Sequence, residues 1–272
     1  MRKFFLILVL EMILTCLSVW AGEPMLGIFK ENYVTTGFPL NAHPEWDNSD
    51  MTFQISMKFN AFQDMGGKDW DLFFAYSQLS VWEIYKPSNP FKSHIFTPGV
   101  YVYHPLRKGS DGTVTDDILF GFEHRSNGHD GSLSRSIGYI FATYTHTFGS
   151  NFTAQLTGRF GQGSIYNDFS LEMLDKYQGY LNLGLCYHTK NRQLMASVSA
   201  TPLFKGDIPA NVSAEIALRP TRSQDWFYLV ARYHYGYDED HLDCAVPDVF
   251  LRHMVRFGIA IQPSRLSHKL FF

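Results

Sequence analysis

Cysteine is scarce in this chain, with three in 272 residues, at positions 16, 186 and 244. So low a count excludes a disulfide-dense secreted scaffold, and no zinc-type Cys/His spacing occurs, although Cys186 and Cys244 could pair with each other. Charge is thin as well. Charged residues make up 18% and the net charge is −3, so no basic field exists to recruit nucleic acid. Beyond the N-terminus no apolar run is long enough for a transmembrane helix. A Gly-x-Ser-x-Gly elbow, a phosphate-cradling Gly-rich loop and a His-Glu-x-x-His zinc helix are also absent. What the chain has in quantity is aromatic side chains, at 16%.

The N-terminus reads as a secretory signal over residues 1–21. Arg2 and Lys3 precede the apolar stretch from Phe4 to Val19, and Val19-Trp20-Ala21 offers a cleavage site, so that a mature domain would cover 22–272. Glu11 inside so short an apolar run argues against a membrane anchor. The mature part breaks into runs of about ten alternating residues between Gly/Asn/Asp/Pro/Lys clusters. In one run Phe53, Ile55, Met57 and Phe59 alternate with Gln54, Ser56 and Lys58; in another Phe152, Ala154 and Leu156 alternate with Thr153, Gln155 and Thr157. A period of two sends each set to one side of a sheet. About twelve such runs occur, near 33–38, 52–62, 71–85, 96–104, 116–126, 134–148, 151–161, 178–189, 192–201, 211–219, 226–237 and 249–262.

The fold expected is therefore all-β, a transmembrane antiparallel β-barrel whose even strand count permits closure without an exposed edge. Tyr76, Trp82, Tyr101, Tyr103, Trp226, Tyr235 and Tyr237 are expected to form interfacial girdles, and Glu123, Arg125, Gln155 and Arg159 to face the lumen. Phe271-Phe272 at the end resembles the terminal aromatic signal of outer-membrane barrels.

One run carries chemistry. Ile118, Phe120, Phe122, His124 and Ser126 share a parity, which puts an imidazole and a hydroxyl on the lipid-facing side with Cα atoms roughly 6.7 Å apart. Polar groups there are unfavourable unless they lie at the interface or act on something. A base–nucleophile pair is one reading, with His124 taking the Ser126 proton; a strand end emerging among headgroups is the other. His234 and His253 lie in strand-like runs and read as wall residues, and Asp238-Glu239-Asp240 as a solvated loop.

The segment His124-Arg125-Ser126-Asn127-Gly128, followed by Ser134-Arg135-Ser136, resembles the active-site motif of the outer-membrane phospholipase A family. Tyr76-Ser77-Gln78-Leu79-Ser80-Val81-Trp82 and Ser88-Asn89-Pro90-Phe91-Lys92 are similar to further family segments. The resemblance implies a twelve-stranded barrel in the bacterial outer membrane that cleaves phospholipid acyl esters, needs calcium and acts as a homodimer. It implies Ser126 as nucleophile, His124 as general base and Gly128 as an oxyanion donor. For calcium it implies Ser88, reaching the partner's site, Ser134, the carbonyl of His129, and Asp168 across a length change.

The chain departs from the family pattern at one position. Where the family places an Asn to orient the histidine, this sequence has Gly138, which lies opposite His124 if the hairpin turns about Gly131. Water or Ser136 could orient the ring instead, the enzyme could be slower, or activity could be lost. Deleting an orienting residue costs less than deleting nucleophile or base, so residual activity is expected. The rival from another class is an inert barrel serving as scaffold or passive channel; a soluble β-sandwich is a third reading.

Overall fold

The computed structural model describes residues 25–43, 45, 48–131, 134–163, 174–221, 227–237 and 251–261. Twelve long strands run in chain order: β2 (Asn32–Pro39), β3 (Asp50–Phe62), β4 (Asp71–Trp82), β5 (Phe91–Lys108), β6 (Val114–Ser126), β7 (Ser136–Phe148), β8 (Phe152–Gly163), β9 (Leu181–His188), β10 (Leu194–Pro202), β11 (Ala210–Leu218), β12 (Phe227–Tyr237) and β13 (Leu251–Ile261). Each pairs antiparallel with its chain neighbours, and β13 pairs with β2, so the sheet closes into a barrel of 12 strands. Closure satisfies every ladder without leaving an edge, the condition hydrocarbon imposes. Each of the twelve expected runs contains a strand; the fourth extends beyond 96–104 in both directions, the third stops at Trp82, and the eighth begins only at Leu181 because Leu174–Gln178 forms a helical turn.

The two faces are inverted relative to a water-soluble protein. Phe120, Phe122, Ile140, Leu156, Phe160, Leu183, Ile216 and Phe257 point outward, each at least 42% exposed. Buried positions on the other parity are largely polar, among them Thr143, Thr145, Gln155 and Thr157. A continuous apolar belt of this size is untenable in water and natural in lipid. The ends differ too. β5–β6, β7–β8 and β9–β10 are joined at one end by 5, 3 and 5 residues, while at the other end 40–49 separates β2 from β3, 83–90 separates β4 from β5 and 127–135 separates β6 from β7. Short periplasmic turns and long external loops are the outer-membrane pattern.

The lumen is filled. A two-residue strand, β1 (Leu26–Gly27), pairs with Lys58 and Phe59 of β3, and the chain then dips inside the barrel before entering β2. Phe29 packs on Phe73 and Tyr101, with ring centroids 5.2 and 4.4 Å away. Lys30 Nζ meets Glu123 Oε1 at 2.8 Å, and Glu123 also accepts from Tyr101 at 2.7 Å and Tyr139 at 2.5 Å. Along the inner wall Arg232 bridges Glu31 and its cross-strand neighbour Glu215, and Arg256 pairs with Asp50 over Gly37. Such pairing offsets the cost of burying charge.

Part of the girdle expectation fails here. Tyr101 and Tyr103 are nearly inaccessible because their parity matches the inward set, whereas Tyr237 shares the outward parity of Tyr235 and is buried only because the strand turns at Gly236, φ 147°, and packs its ring against Leu203 and Ile208. Tyr76, Trp82 and Tyr235 have the outward parity, and Trp226 lies outside the described residues. Residues 1–21, Cys244, the acidic run at 238–240 and the terminal Phe271-Phe272 also lie outside them. Cys186 is a buried thiol on the inner face of β9. His234 is a satisfied wall residue between Ser213 Oγ and the Tyr237 carbonyl, and His253 contacts the Tyr233 hydroxyl.

Candidate active site

The β6–β7 hairpin builds the site. Along β6, Leu119 and Glu123 are buried inward, so Phe120, Phe122 and His124 turn outward, with His124 exposed and Ser126 half-buried at the strand's last position. The Glu123 network anchors the strand from inside, directly behind the outward imidazole. His124 pairs in register with Gly138, and Ser126 with Ser136 of β7 and Phe96 of β5. The hairpin turns about Gly131, whose φ of 55° suits glycine. Gly138 therefore stands where a cross-strand partner for the imidazole would be, and it offers none.

Beyond Ser126 the chain is held by Asn127, a residue to which the sequence reading gave no role. Its side chain is 3% exposed, and its Oδ1 accepts from the amides of Arg135 at 3.0 Å and His129 at 3.3 Å. Its own amide donates to the Arg135 carbonyl at 3.0 Å. One buried amide thus ties both arms of the loop that carries Gly128, His129 and Ser134. The only sequence signal for it was its place inside the quoted motif.

Gly128 is required on two counts. Its φ is +73°, and a Cβ there would lie 2.5 Å from the Phe96 ring. The ring packs against the glycine next to the nucleophile candidate, which sets how closely the loop lies on the barrel rim.

Ser134 is half-buried and His129 exposed in this loop. Ser88 is exposed in the neighbouring connection, 83–90, with a φ of 65°. That turn is closed by Glu83 N to Pro90 O at 3.0 Å and by the Trp82 indole to the Asn89 carbonyl at 2.8 Å. Asp168 lies outside the described residues. Ser88, His129 and Ser134 are all at the long-loop end, with Ser88 on a different connection from the other two. No group of three or more acidic, Cys or His side chains able to hold a metal occurs among the described residues.

Residues 29–249 match the family model described as Phospholipase A1. The chain belongs to the phospholipase A1 family. Phospholipase A1 of Salmonella typhimurium is 25% identical over 169 residues, covering 61% of this chain and 56% of that protein. A phospholipase A1 homologue of Neisseria meningitidis serogroup B is 29% identical over 156 residues, covering 55% of this chain and 40% of that protein. The chain thus matches about half the length of these relatives. In architecture it is similar to the Salmonella typhi outer membrane phospholipase dimer with bound calcium, at a TM-score of 0.72 and 19% identity over 88% of this chain and 93% of that one. An Asn-to-Ala active-site mutant of the Escherichia coli outer membrane phospholipase A also superposes with a TM-score of 0.72, at 18% identity over 93% of this chain and 98% of that one. In this chain the residue paired with the outward His124 is Gly138, which has no side chain.

Proposed function

We propose that the chain is a calcium-dependent phospholipase of the bacterial outer membrane, hydrolysing acyl esters with Ser126 as nucleophile and His124 as general base. The observation that carries this reading is the shared outward face of His124 and Ser126 at the loop-side rim, where lipid meets the barrel. A substrate held in the bilayer reaches that face without leaving it.

In the first step His124 accepts the Ser126 proton as Oγ bonds to the ester carbonyl carbon. The tetrahedral oxyanion is stabilised by the Gly128 amide; one such donor contributes about 3–4 kcal/mol. Collapse breaks the bond to the glycerol oxygen, which takes the proton from His124 as lysophospholipid leaves. Water then gives a proton to His124 and attacks the acyl carbon; collapse breaks the bond to Ser126 Oγ, which takes that proton back from His124 as the fatty acid leaves.

The loop's donors suit a hard cation that takes six to eight oxygens. The Ser134 hydroxyl, the His129 carbonyl and Asp168 would hold calcium, with Ser88 supplied by a second copy, consistent with its exposed tip on a separate connection. When bound, calcium would supply positive charge near the developing oxyanion. Because one copy's donors leave the shell incomplete, activity would require a homodimer. Water or Ser136 would take the orienting role in place of a side chain at 138.

The test is fatty-acid release by the refolded protein with and without calcium, compared with Ser126→Ala. A loss of at least about 10³-fold in Ser126→Ala is expected; equal release by the two proteins sinks the proposal. Covalent labelling by a sulfonyl fluoride should fall on Ser126 alone. One observation favours the rival scaffold role, namely Gly138 opposite the imidazole. The filled lumen speaks against a passive channel, and single-channel recording should show no steady conductance.

A further inference from the structure

A second polar group interrupts the lipid-facing belt, at the turn end of the barrel and far from His124. Asp116 has the outward parity of β6, yet its side chain is only 6% exposed, because neighbours enclose it. Its Oδ1 accepts from the Tyr144 hydroxyl at 2.5 Å and contacts His146 Nδ1 at 2.8 Å, while Arg107 Nε lies 3.7 Å from Oδ2. The Arg107 side chain is 73% exposed, so most of its guanidinium remains open to a ligand. The His146 ring is held from its other side by Phe148, edge-on at 4.2 Å. A carboxylate that fixes the Nδ1 side of an imidazole leaves Nε2 to face outward.

A groove of about 710 Å³ leads away from this cluster. The register runs Asp116, His146, Ala154, Leu185, Val198 across β6 to β10, with Leu183 opposite Ala200 one step higher. Ala154 and Ala200 form its floor, and the bulkier Leu156 and Leu185 form its walls. Asp116, His146 and Ala154 sit near the turn-end limits of their strands, whereas Leu183 and Ala200 sit near the opposite limits of theirs. The groove is thus charged at the headgroup level and apolar as it climbs the wall. Four strand spacings make it roughly 19 Å long, comparable to a long acyl chain.

We propose that this groove binds one phospholipid of the periplasmic leaflet, its phosphodiester on Arg107 and His146 and an acyl chain along Ala154 and Ala200. Arg matches phosphate in charge and geometry. In a bilayer an outward groove is filled by lipid in any case; the charged end is what selects a phosphate-bearing one. The inference rests on the barrel spanning a membrane and not on hydrolysis.

The test uses a dialkyl-ether phosphatidylethanolamine, which no esterase cleaves, added to the full-length protein in detergent without calcium and followed by native mass spectrometry. Wild type should retain one lipid. Arg107→Gln/His146→Gln should lower affinity about tenfold or more, and Ala154→Phe should abolish retention by filling the floor. Phosphate-free dialkylglycerol should bind equally weakly to wild type and the double variant. Heat-modifiable gel mobility verifies that each variant is folded, and Arg107→Gln alone, at a side chain 73% exposed, should still lower affinity without disturbing the wall if either other change does. Unchanged affinity in Arg107→Gln/His146→Gln, or equal binding of the two lipids by wild type, overturns the proposal. Loss of fatty-acid release in a separate assay would not touch it.

Discussion

Replacing Gly138 by Asn should raise the hydrolytic rate, against the usual expectation that changing a residue beside an active site lowers it. The backbone at 138 is ordinary strand, and an added Cβ would lie 3.4 Å from the nearest Phe122 ring atoms, a normal contact. The register sets that Cβ directly across from His124, about 4.5–5.5 Å from its counterpart. From there the Asn carbonyl oxygen can accept from the imidazole N–H and hold the other nitrogen toward Ser126. A net hydrogen bond of about 0.5–1.5 kcal/mol corresponds to a two- to twelvefold increase in kcat, with KM little changed because the lipid contacts are untouched. Removing the strand glycine by Gly138→Ala should stabilise the barrel by about 0.5–1 kcal/mol. The assay is initial-rate fatty-acid release in calcium-containing mixed micelles, run beside Gly138→Ala and Gly138→Leu. Ala tests backbone stiffening alone and Leu tests bulk without an acceptor. An unchanged kcat in Gly138→Asn, or a rise matched by either control, would refute the idea that His124 lacks an orienting partner.

Three further outcomes follow from the same geometry. Gly128→Ala places a Cβ 2.5 Å from Phe96 at a φ of +73°; we expect fatty-acid release to fall about tenfold to a hundredfold, with thermal unfolding of the barrel nearly unchanged. Glu123→Leu leaves the Lys30 ammonium in the lumen without its carboxylate and should cost about 3–5 kcal/mol in urea-driven unfolding from vesicles; Lys30→Met added to it should recover a large part, and no recovery would mean that the pair is not the anchor. Asp175, in the short helical turn Leu174–Gln178, is held below the usual carboxylate range by hydrogen bonds from Lys205 at 2.5 Å and Tyr180 at 2.6 Å. Since the folded value is the depressed one, its contribution is complete above the unfolded value of about 3.9 and disappears as pH falls through the folded value. Amide exchange at 174–178 should therefore accelerate on acidification below about pH 4, beyond the intrinsic pH trend, and Lys205→Ala should remove the difference.

The strand runs and the outward parity of His124 and Ser126 were legible in the chain because a period of two is a local property. The same arithmetic placed Gly138 opposite His124, once Gly131 was taken as the turn, and the register agrees. Side-chain type misled where parity was not applied. Tyr101 and Tyr103 were assigned to the interface as aromatics, yet their inward parity sends them into the lumen; Tyr237 has the outward parity and turns in only after Gly236, which no alternation could show. The N-terminal segment was not legible at all, since Leu26 to Glu31 is too short to show a period, and its entry into the barrel depends on Glu123 lying 93 residues away. Asn127 stood in plain sight, but the amides it holds belong to the far arm of a loop.

By itself the chain determined strand positions, the face each residue takes and the pairing within a hairpin, because these depend on neighbours a few positions apart. Closure of β13 onto β2, the Arg256–Asp50 pair spanning 206 residues, the plugged lumen and the outer groove ending at Asp116 were decided only in three dimensions. Each depends on how far the whole sheet curls before its two ends meet, a quantity carried by no single run of residues.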